Sequence, residues 1–267
     1  MRSPDAPDRQ AASYTAWFLR RRLGAPFALG DTPLLPPAPP ATAGLDDDLL
    51  AALGGLHDLA DLPGRDWAAV LDQLPDAGSG SAGRLPVVVA RAVWAGLAAL
   101  ARADGPGIAP GRLPALGPDG VTVESTDDLA VAASPRWAQL GPVVPAPPEV
   151  AEALAELLDL PLEDASDLAP DEPGQQVELD ARVRAVVPRA PGTWRSHDTL
   201  TVEGRPVEWW VSATRAGQVP HAVSPAGLAR ALAEVTGTDP LLLEALLRDP
   251  DRAEALSAER AWDSGRD

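Results

Sequence analysis

The sequence predicts an α+β protein that is mainly helical, with short antiparallel strands and hairpins in two small subdomains. Helices are indicated where apolar residues recur every three or four positions, as at 85–100. Strands are indicated by short β-branched runs beside turn residues, as at 121–124 and 129–132. These signals alternate along the chain without an internal repeat, so no solenoid is predicted.

Residues 1–83 are predicted to form a helical and proline-rich N-terminal segment. Its first helix covers 11–23, where Tyr14, Trp17 and Phe18 share one face. Such an amphipathic helix needs a partner surface to cover its apolar side. The other predicted features are a proline-rich linker, two short helices and a flexible glycine-serine loop, at 26–40, 46–53, 66–74 and 78–83.

Residues 84–162 are predicted to form an α+β subdomain, followed by an acidic linker at 163–176. The subdomain contains the helix at 85–100, the strands named above and a second helix from Pro147 to Leu158. Proline and glutamate suit the start of this second helix, since the first turn tolerates a missing N–H and favours negative charge. The linker is predicted from its acidic residues and prolines.

Residues 177–267 are predicted to form a C-terminal subdomain of one hairpin and several helices. A helix at 177–187 precedes a hairpin over 194–211, which lays Trp209 and Trp210 against the helix that follows. The last three predicted helices each begin with proline and span 225–235, 240–248 and 250–261. Aspartate N-caps are expected before the second and third of them.

The charge balance excludes several classes of partner. Acidic residues number 39 against 22 basic ones, all of which are arginine, and the net charge is −17. Such a chain repels phosphate backbones and anionic lipid, so neither nucleic acid nor a membrane is an expected partner. The basic run Arg20-Arg21-Arg22 is interpreted as a solvated helix end. With no cysteine, secretion signal or apolar span, the predicted location is the cytoplasm.

No catalytic residue, cofactor site or metal site is predicted. The three histidines, His57, His197 and His221, lack any metal-binding spacing. The residues at 196–198 are serine, histidine and aspartate, but neighbours in a strand point to opposite faces, so we interpret them as polar residues of a strand edge or a turn. A P-loop needs lysine, and the turn at 104–107 is interpreted as a plain loop.

The tryptophans are the remaining signal for function. Trp209 and Trp210 are adjacent in a predicted strand, so their side chains point to opposite faces. Either the strand is buried on both sides, or one indole is exposed and contacts a partner or an unfolded client. Trp17, Trp209 and Trp210 are therefore the candidate partner contacts.

Seven segments resemble, in the same order, the C-terminal half of an actinobacterial protein family. They are SYTAW at 13–17, DWAAVLD at 66–72, PDGVTV at 118–123, PPEVAEAL at 147–154, LLDLPL at 157–162, HDTLTV at 197–202 and VEWWV at 207–211. The family is described as sacsin-type, or as similar to the ninety-kilodalton heat-shock chaperone, and carries an N-terminal ATPase domain. By this resemblance, the sequence would start where the ATPase domain has already ended, and the family's nucleotide-binding residues are not expected here.

The resemblance implies a non-catalytic role in a chaperone-like ATPase, through client contact, inter-domain regulation or assembly. The implied partners are proteins, unfolded clients or a cognate ATPase domain, with ATP and magnesium present only if such a domain is fused upstream. Two alternatives remain. One is a stand-alone protein-interaction module, and the other is an enzyme that uses Asp198, Glu203 or Glu208 for acid–base chemistry.

Overall fold

A computed structural model describes residues 14–74, 84–103, 105, 107–163, 168–187, 189–215, 217–253 and 255, with side chains from Phe18 onward. Its fold is α+β, as predicted. In these residues the α-helices, α1 to α8, span Tyr14–Leu23, Asp47–Ala52, Trp67–Leu71, Val87–Arg102, Ala151–Leu158, Ala181–Val186, Pro225–Thr236 and Pro240–Arg248. The strands, β1 to β13, span Phe27–Ala28, Gly55–Leu56, Arg112–Gly117, Gly120–Ser125, Ala130–Ala132, Val143–Pro145, Leu162–Glu163, Gln175–Glu178, Thr193–Ser196, Thr201–Val202, Arg205–Pro206, Trp209–Thr214 and Gly217–Ala222.

The chain forms two compact units, each assembled from several passes of the backbone. Unit 1 contains Met1–Ala115, Gly120–Val131 and Ala146–Pro161, and unit 2 contains Leu116–Asp119, Ala132–Pro145 and Leu162–Asp267. Residues of the predicted 84–162 subdomain therefore lie in both units. The predicted loop at 78–83 and the turn residues Asp104 and Pro106 lie outside the described residues.

The core of unit 1 is built around Trp67 and helix α4. Apolar side chains recur along one face of α4, where Ala90, Val93 and Leu97 are fully buried. On the same helix Gly96 lies against the Trp67 ring, since a Cβ built at this glycine would come within 2.7 Å of the indole. A larger residue at position 96 would push the indole away, so the glycine sets how closely α4 approaches it.

Helix α5 of unit 1 and strand β3, whose residues are divided between the two units, differ from the prediction. Helix α5 begins at Ala151 and not at Pro147, because the Val150 N–H donates to the Pro147 carbonyl and closes a turn first. Strand β3 was not predicted, since Pro114 lies inside it and proline is disfavoured within strands. Helices α1, α2 and α4 confirm the predicted ones to within a few residues.

Unit 2 contains a four-stranded sheet in the order β12-β13-β9-β8. Strands β12 and β13 are antiparallel over six residue pairs, β13 and β9 are parallel, and β9 and β8 are antiparallel. Of the predicted hairpin over 194–211, only the inner part forms, where β10 pairs with β11 in the antiparallel sense. Its outer strands, β9 and β12, do not pair, because β13 lies between them. The predicted helix at 177–187 is also shorter, since β8 occupies its start and α6 begins only after the Asp180 N-cap.

Two apolar cores cover opposite faces of this sheet. The helix-side core includes Trp209, Val211 and Ala222 from the sheet, packed with residues of α6, α7 and α8. The hairpin-side core includes Trp210 with Trp137 from the segment before β6 and Leu200 from the segment before β10. Adjacent residues of β12 thus point into different cores, as the alternation of a strand requires.

Two of the three predicted C-terminal helices begin at the predicted proline. Helix α7 begins with Pro225 behind the Ser224 cap, and α8 begins with Pro240 behind Asp239, whose carboxylate accepts two backbone N–H groups. At the third, Pro250–Arg252 forms a 3-10 turn, and Asp249 makes no cap hydrogen bond. Most of the predicted helix at 250–261 lies outside the described residues.

Candidate functional site

Three buried polar side chains of unit 2 form one hydrogen-bonded chain. The Ser212 Oγ lies 2.9 Å from the His221 Nε2, and the His221 Nδ1 lies 3.0 Å from the His197 Nε2. All three residues are buried, and the two imidazole rings are tilted with their centroids 5.2 Å apart. Each hydrogen bond satisfies groups that would be costly to bury alone.

Strand register brings these residues together. Trp210 on β12 lies opposite His221 on β13, and Ser212 is two residues further along β12, so Ser212 and His221 share one face of the sheet. His197 follows β9, and its backbone N–H donates to the Ala222 carbonyl at 3.0 Å. That bond holds His197 beside His221 on the neighbouring strand.

Burial keeps both imidazoles neutral near pH 7. Burial lowers the pKa of His221 to about 4, with smaller contributions from the neighbouring His197 and Arg195. Burial also lowers the pKa of His197, assisted by Arg195 and opposed by Glu172. A neutral imidazole has one donor nitrogen and one acceptor nitrogen, so the chain has two possible proton arrangements. In one, the Ser212 hydroxyl donates to His221, whose Nδ1–H donates to His197, and in the other both directions are reversed.

Acidification should destabilise the fold through His221. Its pKa is about 4 in the folded chain against 6.5 ordinarily, so between these values the unfolded chain binds a proton that the folded chain does not. The free energy of unfolding therefore falls as the pH falls, by about 2 kcal/mol from this residue between about pH 7.5 and about pH 5. Urea denaturation at both pH values measures the loss.

The variant His221→Gln is the control for this pH effect, because glutamine cannot titrate. It should lose about 2 kcal/mol less than the wild type over the same pH interval, whatever its stability at neutral pH. An equal loss in both proteins would contradict the lowered pKa of His221.

Gly174 lies against the His197 imidazole, at the end of the ring that faces His221. Its backbone has a φ of +65°, and a Cβ at this position would lie 2.4 Å from the His197 Nε2. Two features therefore favour glycine at this position: the left-handed backbone conformation and the close approach to the His197 ring. Any side chain at position 174 would move the His197 imidazole away from its present place beside His221.

A second buried polar cluster of unit 2 is centred on Arg136. One terminal nitrogen of Arg136 lies 2.9 Å from a carboxylate oxygen of Glu234 and donates to the Val211 carbonyl at 2.6 Å. The Ser134 hydroxyl donates to the other oxygen of Glu234 at 2.6 Å. Burial lowers the pKa of Arg136, and the Glu234 carboxylate opposes this change. Arg136 also lies over the ring of Trp210, at 5.1 Å from its centroid.

An apolar run in unit 1 is exposed at the start of α4. Pro86 precedes the helix, and Val87 and Val88 in its first turn are 50% and 72% exposed. The buried apolar side chains of α4, such as Ala90, Val93 and Leu97, begin one turn later.

The candidate partner contacts differ in what the structure shows. Trp209 and Trp210 are both buried, one in each core of unit 2, so the strand is buried on both sides. Their burial does not support the hypothesis that either indole contacts a partner. Trp17 lies in α1, but its side chain is outside the described part of the structure.

The carboxylates of the alternative enzyme hypothesis are exposed. Asp198 and Glu203 lie on the surface, and Glu208 pairs with Arg230 at 2.8 Å, both side chains being exposed. Within the described ranges, no group of three or more histidine, cysteine, aspartate or glutamate residues could hold a metal ion.

Sequence reasoning considered His197 with its neighbours but missed its true partners. Ser212 and His221 are nine residues apart, and only the register of the β12–β13 hairpin places them on one face. A hairpin predicted over 209–222 instead of 194–211 would have revealed the pair.

No family model, curated protein or solved structure matches this chain. Its helices and strands define an α+β fold in two units. Among the residues that the structure describes, no helix is long and apolar enough to cross a membrane.

Proposed function

We propose that this chain is a protein-binding region of a chaperone-like ATPase, contributing client contact, inter-domain regulation or assembly. The proposal is supported by the seven ordered segments that resemble the sacsin-type family. ATP and magnesium would act only in an ATPase domain fused to this chain or bound by it. The proposal includes a cytoplasmic location, which suits a chain without cysteine.

The observation that carries the proposal is the exposed apolar run at the start of α4. A partner that covers the exposed side chains of Val87 and Val88 removes apolar area from water, which favours binding. Together they expose roughly the area of one whole valine side chain, which is worth about 2 kcal/mol on burial. Losing that contribution would weaken binding about thirtyfold.

The charge of the chain selects among partners. A net charge of −17 attracts cationic segments over a distance and repels acidic ones. The expected client is therefore an unfolded segment that combines apolar residues with a positive net charge. Its binding should weaken as the salt concentration rises, because salt screens the attraction.

Binding of an unfolded, basic model protein tests the proposal. The full chain should slow aggregation of that client, and the double variant Val87→Ser, Val88→Ser should bind it about thirtyfold more weakly. The matched control is Leu241→Ser in α8 of unit 2, which removes a side chain that is 74% exposed and should leave the affinity unchanged.

Different outcomes separate the proposal from its alternatives. A chain that neither slows aggregation nor binds an ATPase-bearing partner would overturn the proposal. Client binding without any ATPase partner would favour a stand-alone interaction module. The mass of the natural product, captured with an antibody, then distinguishes a fused ATPase from a chain near 27.7 kDa.

A further inference from the structure

We propose that Ser212 is the nucleophile of an acyl-transfer site, with His221 as its general base and His197 as a positioning residue. The substrate class is a small ester or another activated acyl compound. This inference is independent of the protein-binding role. It departs from the prediction that the chain carries no catalytic group.

The geometry of the chain meets two requirements of a serine nucleophile. The hydroxyl must lie within hydrogen-bond reach of a base, and here the Ser212 Oγ lies 2.9 Å from the His221 Nε2. The base must in turn be oriented by a third group through its other nitrogen, and here the His221 Nδ1 lies 3.0 Å from the His197 Nε2. The residues are connected in the same order as in serine hydrolases, with histidine in the place of the usual carboxylate.

The protonation state of His221 is the one that a general base needs. His221 is buried and neutral near pH 7, so its Nε2 can accept a proton when Nδ1 holds the other one. The charged groups that act on the pair are Arg195, which disfavours a charged imidazole on both histidines, and Glu172, which favours it on His197. Gly174 lies against the His197 ring at its Nε2 end, where a side chain would displace the imidazole.

Access to Ser212 is from the end of the β12–β13 hairpin. Ser212 is the last buried residue of β12, and Thr214, the next residue on the same face of the strand, is exposed, as is Gly217 opposite it. Val219, the residue opposite Ser212, is half-buried. A small acyl group therefore has only a short path from solvent, whereas a folded protein substrate is excluded.

The reaction balances with these residues and water. The Ser212 Oγ attacks the acyl carbon while its proton passes to the His221 Nε2, which forms a C–O bond and a tetrahedral intermediate. The bond to the leaving alkoxide breaks as His221 returns the proton to it, and an acyl-Ser212 remains. Water then attacks the acyl carbon, gives a proton to His221 and releases the carboxylic acid. Ser212 recovers its proton from His221.

Covalent labelling of the full chain with a small fluorophosphonate tests the site. The probe forms a P–O bond with an activated serine and releases fluoride, and intact mass with peptide mapping locates the adduct. We expect one adduct per chain, on Ser212, abolished in Ser212→Ala and slowed about a hundredfold in His221→Gln. Folded wild-type protein that labels no faster than His221→Gln would overturn the proposal.

Two further variants separate a positioning role of His197 from a merely structural one. Burial is the main cause of the lowered pKa of His221, and His197 adds to it. His197→Gln retains a hydrogen-bond acceptor but removes this second contribution, so the midpoint of the labelling rate against pH should rise. Gly174→Ala should slow labelling by displacing the His197 ring. Its control, Gly204→Ala, has a similar positive φ of +72° with open space at Cβ and should label like the wild type. Unchanged midpoints and equal rates in all variants would overturn the assignment of His197.

Discussion

Replacing Arg136 with methionine should lower the free energy of unfolding by about 3–5 kcal/mol. The change leaves the Glu234 carboxylate of unit 2 nearly buried without its cation, and removes the hydrogen bond to the Val211 carbonyl. A buried charge that loses its partner costs far more than an exposed one, because water cannot replace the lost interaction. Urea denaturation followed by circular dichroism measures the effect.

The exposed ion pair Arg230–Glu208 provides the matched control. Its nitrogen–oxygen distance of 2.8 Å is similar to that of Arg136–Glu234, but both of its side chains are open to solvent. Arg230→Met should therefore cost only about 0–1 kcal/mol. The double variant Arg136→Met, Glu234→Gln should recover part of the loss, since no unpaired charge remains. A loss in Arg136→Met no larger than in Arg230→Met would contradict the buried arrangement.

The sequence predicts the elements of this fold that carry local signals. Helices α7 and α8 have proline in the first turn and side-chain caps, and both form where the caps predict. Strand β8 was missed because it begins with two exposed glutamines and lacks an apolar alternation. Strand β13 was missed because Pro220 lies within it. These strands depend on pairing with neighbours, which no local pattern displays.

The candidate site was missed for the same reason. The sequence places serine, histidine and aspartate side by side at 196–198, yet the structure gives His197 a partner on another strand. The contact between Ser212 and His221 depends on a strand register that is fixed by the whole sheet. Likewise, Arg136 and Glu234 are far apart in sequence, and their residue types alone indicate surface charges.

Replacing Trp210 with alanine should also lower the free energy of unfolding, by about 3–5 kcal/mol. The indole is fully buried in the hairpin-side core and meets Trp137 edge-to-face at a centroid distance of 5.5 Å. Its Nε1–H donates to the Leu168 carbonyl at 3.0 Å, and the Arg136 guanidinium lies over its face. Alanine leaves a cavity and removes all three contacts, which urea denaturation detects directly.

Trp210→Phe separates the packing from the hydrogen bond. Phenylalanine fills much of the cavity but cannot donate a hydrogen bond to the Leu168 carbonyl. Because Leu168 is only half-buried, the lost hydrogen bond should lower the free energy of unfolding by about 1 kcal/mol, in addition to the loss caused by the smaller side chain. A Trp210→Ala variant that unfolds within about 1 kcal/mol of the wild type would show that the indole is not packed inside unit 2. The hypothesis that Trp210 contacts a partner would then regain support, because a side chain that contributes little to stability is free to bind.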